Sequence, residues 1–175
     1  MKLQQLFTYM IKDLLDTKEY MGVALSVTLA FVVCQWIYCC ITGKKKEIWQ
    51  MVSCQMLVFY VVMVLEIAFF SREPGSRDGI DLQLFSTWGK NAQAHAWVLE
   101  NVLMFLPFGV LVPVCVPKLG TVPMTTLAAF ICSAGLEYAQ FLTQRGHCQV
   151  DDVVMNVLGA IIGSLVWKMW QWIRS

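Results

Sequence analysis

A helix needs about 20 consecutive apolar residues to cross the hydrocarbon core of a bilayer, and this chain supplies such runs one after another. Residues 20–41 hold no charged side chain, 48–70 hold only Glu66, 96–116 only Glu100, 121–142 only Glu137 and 153–172 only Lys168. A hydrophobic content of 58% and a mean hydropathy of +0.60 are too high for an ordinary soluble domain. The chain therefore reads as an all-α integral membrane protein with five transmembrane helices.

Ahead of the first span, Leu3, Leu6, Phe7, Met10, Ile11, Leu14 and Leu15 recur at helical spacing, with Lys2, Lys12, Asp13 and Asp16 between them. This pattern predicts an amphipathic helix lying along a membrane face or against the protein's own loops. It is too interrupted by charge for the apolar core of a signal peptide. The chain divides into an amphipathic segment (1–19), two spans (20–70), a hydrophilic loop (71–95) and three further spans (96–175). Pro107 and Pro113 lie inside the third of the five spans, where neighbouring helices can re-satisfy the freed carbonyls, and a bend is expected near Pro107.

Of seven cysteines, all but Cys148 fall in apolar runs, where thiols act as small hydrophobes. No CxxC pair or other zinc spacing occurs, which excludes a disulfide scaffold and a zinc site. A net charge of +1, with no basic cluster beyond Lys44, Lys45 and Lys46, excludes nucleic acid as a partner. No nucleotide-binding loop is present, and no cofactor is implied.

The chemistry concentrates between Glu137 and Gly163. On a helix, Ser133, Glu137, Gln140 and Gln144 share one face, as do Asp152, Asn156, Gly159 and Gly163 on the next helix, so two polar stripes meet at one turn. Glu66, Glu100, Glu137 and Asp152 all lie near the same ends of their helices, within roughly 8 Å of one membrane face at about 1.5 Å per residue. Arg72, Arg77 and Arg145 sit at that face too. Ionisable groups in a bilayer normally face a partner or an aqueous cavity, because burial in lipid costs roughly 2.5–3.5 kcal/mol even on the lenient scale. The sequence thus predicts a polar pocket at one end of the bundle, lined by Arg72, Glu66, Glu100, Asn101, Gln140, Arg145, Asp151 and Asn156 as ligand-binding residues. Gly159 and Gly163 form a GxxxG pattern that lets another helix approach closely.

The short loop of Lys44, Lys45 and Lys46 orients the bundle, since basic residues in short loops stay cytoplasmic. The expected topology is a bacterial plasma-membrane protein with its N-terminus outside, its C-terminus cytoplasmic and its polar pocket open outward.

Three blocks taken in order resemble the VanZ-like family: Ser71 and Arg72 with the following loop; Asn101, Phe105, Pro107 and Gly109; then Glu137, Gln140, Arg145, Asp151, Asp152, Asn156, Gly159 and Gly163. Gln149 stands where family members often have an acid. The resemblance implies reduced susceptibility to the glycopeptide antibiotic teicoplanin, exerted at the cell envelope. Read with the residues, it supports a non-enzymatic pocket that binds an amphiphile among membrane lipids, either a lipid-linked cell-wall precursor or the lipoglycopeptide itself. Arginines suit its phosphate or carboxylate groups, and the embedded acids suit cationic or hydroxyl-rich ones. The alternative is a membrane enzyme in which Glu137 and Asp152 divide acid and base roles and Arg145 clamps an anion. A divalent ion held by Glu137, Asp151 and Asp152 is a variant of that alternative. A secondary transporter ranks last, because the opposite half of the spans is nearly free of charge.

Overall fold

The structure, a computed structural model, describes residues 3–43, 47–75, 79–86 and 91–174. The lysines at 44–46, on which the orientation rests, and Arg77 lie outside the described residues. Six α-helices make up nearly all of it: α1 (Leu3–Asp16), α2 (Met21–Thr42), α3 (Ile48–Leu65), α4 (Ala92–Cys115), α5 (Val122–Leu142) and α6 (Val150–Arg174). A 3-10 turn at Thr17–Tyr20 joins α1 to α2, and a π turn at Glu66–Phe70 extends α3. Five segments are long and apolar enough to cross a membrane, as the runs of the sequence imply. Most of their large apolar side chains remain exposed, which is the surface a lipid-embedded bundle presents.

The helix ends follow local chemistry. Gly43 closes α2 at φ 63°, a left-handed conformation that glycine adopts without a Cβ clash. The Asn91 side chain caps α4 by accepting from the Ala94 amide at 2.8 Å, so this helix begins four residues before the expected position. Asp151 and Asp152 occupy the first turn of α6, where the helix dipole favours negative charge, and α6 starts three residues early as well. Helix α4 continues through both Pro107 and Pro113. In the turn that Pro107 deprives of a donor, the Tyr60 hydroxyl of α3 donates to the Met104 carbonyl at 2.8 Å.

Helices α4 and α6 form the most extensive pairing of the bundle, and glycine makes it so. A Cβ on Gly159 would strike the Val102 carbonyl, and one on Gly163 the Leu106 carbonyl and the backbone of Gly109. The GxxxG pattern of α6 therefore lets two backbones touch. Beside this seam Phe105, Phe108, Val112, Ala129 and Ala160 form the apolar core. Helix α2 packs on α3, with Gln55 donating to Gln35 across the pair at 2.9 Å.

The 14-residue α1 is too short, at about 1.5 Å per residue, to cross a hydrocarbon core of about 30 Å. It packs on α4, burying Leu6 and bringing Asp13 within electrostatic reach of Glu100, while Phe7, Ile11 and Leu15 stay exposed along one stripe. One part of its apolar face thus meets a helix of the bundle rather than loops, and the rest is exposed.

Replacing Gly163 with Leu is expected to force α4 and α6 apart and to lower the melting temperature of the purified protein by about 5 °C or more. Gly22→Leu serves as the control, because nothing lies within 4 Å of a Cβ added there. Equal melting temperatures for the two variants would mean that α4 and α6 do not approach as closely as described.

Candidate functional site

Beyond α3, the carbonyls of Ala68 and Phe69 in the π turn and of Arg72 just after it accept from side chains of α5 and of the loop that follows it. Gln140 donates from Nε2 to the Ala68 carbonyl at 2.7 Å. Arg145 donates from Nη1 to the carbonyls of Phe69 at 3.2 Å and Arg72 at 2.9 Å, with its guanidinium carbon 4.9 Å from the centroid of the Phe69 ring. Gln144, at φ 53°, turns the chain back so that Arg145 can reach there. Gly146 then lies directly beneath the Arg72 guanidinium, where any Cβ would collide with Nη1.

Two short strands set the loops over this end. β1 (Ile80–Asp81) pairs in parallel with β2 (Cys148–Gln149), and the Cys148 amide donates to the Gly79 carbonyl at 3.0 Å. The buried Asp151 side chain accepts from the Phe85 amide at 2.6 Å, while Phe85 itself sits at φ 61°. The loop 79–86 is thus tied to the start of α6 at two points. Burial and then the Glu137 charge push the thiol of the adjoining Cys148 up, away from the thiolate form.

Between the ends of α3, α4 and α6 these contacts leave a cavity of about 560 Å³. Arg72, Glu100, Asn101, His147, Gln149 and Asp152 form its polar wall; Ile67, Ala68, Trp97 and Met104 form its apolar wall. Asn101 donates to Asp152 Oδ1 at 2.7 Å, which joins α4 to α6 beside the glycine seam. Glu137 lies just behind, accepting from the Gln149 amide at 2.9 Å through Oε2, and Arg72 acts electrostatically on both Glu137 and Asp152. Glu100 Oε1 is buried and has no hydrogen-bond partner among the described residues. A buried carboxylate oxygen without a donor is an acceptor in want of a ligand group.

The residues expected at the pocket thus separate into three groups. Arg72, Glu100, Asn101 and Asp152 line the cavity. Glu137 and Gln140 stand behind it as supports, and Asn156 lies deeper, donating to Ser133 Oγ at 2.9 Å where the stripes of α5 and α6 meet. Glu66 opens the π turn, Arg145 faces the carbonyls of α3, and Asp151 holds the 79–86 loop, all outside the cavity wall. Among the described residues no three His, Cys, Asp or Glu side chains converge as a metal site; Asp151 and Asp152, successive on α6, bond to different partners. His147 and Trp97 were not legible as site residues, since a loop histidine and an apolar-span tryptophan carry no signal of their own. Gln149 stood out only as a departure from an acidic position.

Gln140→Leu is expected to leave the Ala68 carbonyl without its donor and to cost about 1–3 kcal/mol. The check is the melting temperature of the purified variant, with Gln144→Leu, an exposed neighbour, expected to change it little. A Gln140 variant as stable as the wild type would show that this bond does not hold the end of α3.

Comparison with known proteins bears on the whole of this region. The VanZ/LLP1 family model matches residues 56–171, from the middle of α3 to near the end of α6, and so includes every residue of the cavity. Protein VanZ of Enterococcus faecium is 25% identical over 107 residues, which cover 61% of this chain and 63% of that protein. The similarity thus spans less than two thirds of the relative's length. No solved structure matches the chain.

Proposed function

Since this chain belongs to the VanZ/LLP1 family, we propose that it is a bacterial envelope membrane protein that lowers susceptibility to teicoplanin by binding an amphiphile in the cavity at the loop end of its bundle. The ligand is a lipid-linked cell-wall precursor or the lipoglycopeptide, and the loop end faces outward, with the N-terminus outside and the C-terminus in the cytoplasm. The observation that carries this reading is that both signs of charge line one cavity: Arg72 together with Asp152 and Glu100, one oxygen of which has no hydrogen-bond partner among the described residues. A guanidinium suits a phosphate or carboxylate, and the acids suit hydroxyl, amide or ammonium donors. Both candidate ligands carry groups of each kind and an apolar tail that keeps them at the depth of Trp97 and Met104.

Acid–base catalysis is the weaker reading. Asp152 lines the cavity, but Glu137 is screened from it by the Gln149 backbone that it binds, so the two carboxylates do not face one bound molecule together. Glu137 fits better as the residue that fixes the Gln149 segment of the wall.

Arg72→Ala, Glu100→Gln and Asp152→Asn are each expected to remove teicoplanin protection at unchanged membrane abundance. Each should also weaken binding of the purified protein to lipid-linked precursor or to teicoplanin by about tenfold or more, as expected for loss of a charge-assisted bond. The ligand whose affinity falls in step with protection is the functional one. Full protection by all three variants at normal abundance would dismiss the cavity.

The orientation has its own check. In a chain with Cys148 replaced by Ser, a cysteine at Glu73 should react with an impermeant thiol reagent in intact cells, and one at Glu47 should not. The reverse pattern would turn the cavity toward the cytoplasm.

A further inference from the structure

On the other side of the π turn lies a second cavity, of about 430 Å³, almost wholly apolar and within the span of the helices. Helices α3 and α5 both pack on α4 but scarcely on each other, and the wedge between them is floored by Phe105 and Phe108. Tyr60 and Val64 form one side, and Gly135 and Leu136 the other. The Tyr60 hydroxyl is already bonded to the Met104 carbonyl, so the wedge presents no polar demand. Gly135 keeps it open, since nothing lies within 4 Å of a Cβ added there.

One end of the wedge carries charge. Phe69 and Phe70 line it, and the Arg145 guanidinium stands over both rings, 4.9 Å and 6.0 Å from their centroids. Both hydrogen bonds of that guanidinium leave from Nη1; Nη2 and Nε have no hydrogen-bond partner among the described residues. These two nitrogens lie on one edge of the guanidinium plane and can grip a phosphate at two points. The carbonyl bonds hold that edge in place.

We propose that the wedge between α3 and α5 binds one acyl chain of an anionic phospholipid whose phosphate is held by Arg145. The volume falls within the range of sites for small ligands. A chain that leaves the bilayer for this wedge gains no hydrophobic free energy, because lipid is as apolar as the protein wall. Preference for one lipid therefore comes from the head group, and the positive charge of Arg145, held against the Phe69 and Phe70 rings that line the wedge, selects a negative one. This site is separate from the polar cavity, and its test does not depend on teicoplanin.

The full chain, reconstituted in phosphatidylcholine vesicles, is irradiated with a trace of phosphatidylglycerol bearing a diazirine on one acyl chain, and the adducts are mapped by mass spectrometry. Adducts should concentrate on residues 60–70 and 132–139, about fivefold above those from a phosphatidylcholine probe with the same chain, the factor expected for one basic group. Gly135→Leu should reduce them severalfold without lowering the melting temperature, because Gly135 lines the wedge and a Cβ added there meets no atom within 4 Å. Arg145→Gln should bring the two probes level. Adducts spread evenly over the lipid-facing helices, equal labelling by both probes in the wild type, or labelling indifferent to Gly135→Leu would each overturn the proposal. So would displacement of the probe by teicoplanin in preference to unlabelled phosphatidylglycerol, or crosslinks to a second copy of the chain in place of lipid adducts, which would assign the wedge to those occupants.

Discussion

A carbonyl set free at the edge of a lipid bilayer has to find its donor inside the protein. Past α3, the carbonyls of Ala68, Phe69 and Arg72 accept from side chains that other parts of the chain bring to them. Gln140 reaches the Ala68 carbonyl from α5, and Arg145 reaches two more from the loop beyond it. Because these bonds locate the end of α3, they locate Arg72, and through Gly146 they leave it just enough room. Polar side chains that look like chemistry in the sequence are thus divided here between holding backbone and facing a cavity.

The seam between α4 and α6 does the corresponding work for the carboxylates. Backbone contact at Gly159 and Gly163 fixes the rotation of α6 against α4, and this rotation places Asp152 opposite Asn101. Interhelical hydrogen bonds of this kind contribute only about 0.6 kcal/mol on average in membranes, so packing sets the geometry and the polar pair follows it. The same seam leaves Glu100, the residue before Asp152's partner Asn101, with one oxygen that has no hydrogen-bond partner among the described residues.

Much of this was legible in the sequence, for reasons that differ between residues. Spans were visible because a continuous apolar run has only one use at that length, and the pairing of the α5 and α6 stripes was visible because Ser133, Glu137, Gln140 and Asn156 keep helical spacing. Their burial and the Ser133–Asn156 bond bear that spacing out. The early starts of α4 and α6 were less visible, since both are set by caps and loop contacts rather than by hydrophobic periodicity. The different fates of Arg72 and Arg145 were not legible at all. They depend on a π turn, which has no residue signature in Glu66–Phe70, and on a loop that reverses at Gln144.

The π turn also has two faces. Ile67, Ala68 and Arg72 look into the polar cavity, while Phe69 and Phe70 look into the apolar wedge. A single strip of widened helix is therefore a partition shared by a chamber for charge and a chamber for hydrocarbon. Whatever occupies one compartment presses on the wall of the other, and thermodynamic reciprocity requires that any such influence run equally both ways. If the two cavities hold the ligands proposed for them, the lipid composition around the bundle belongs among the quantities that set how tightly the polar cavity holds its ligand.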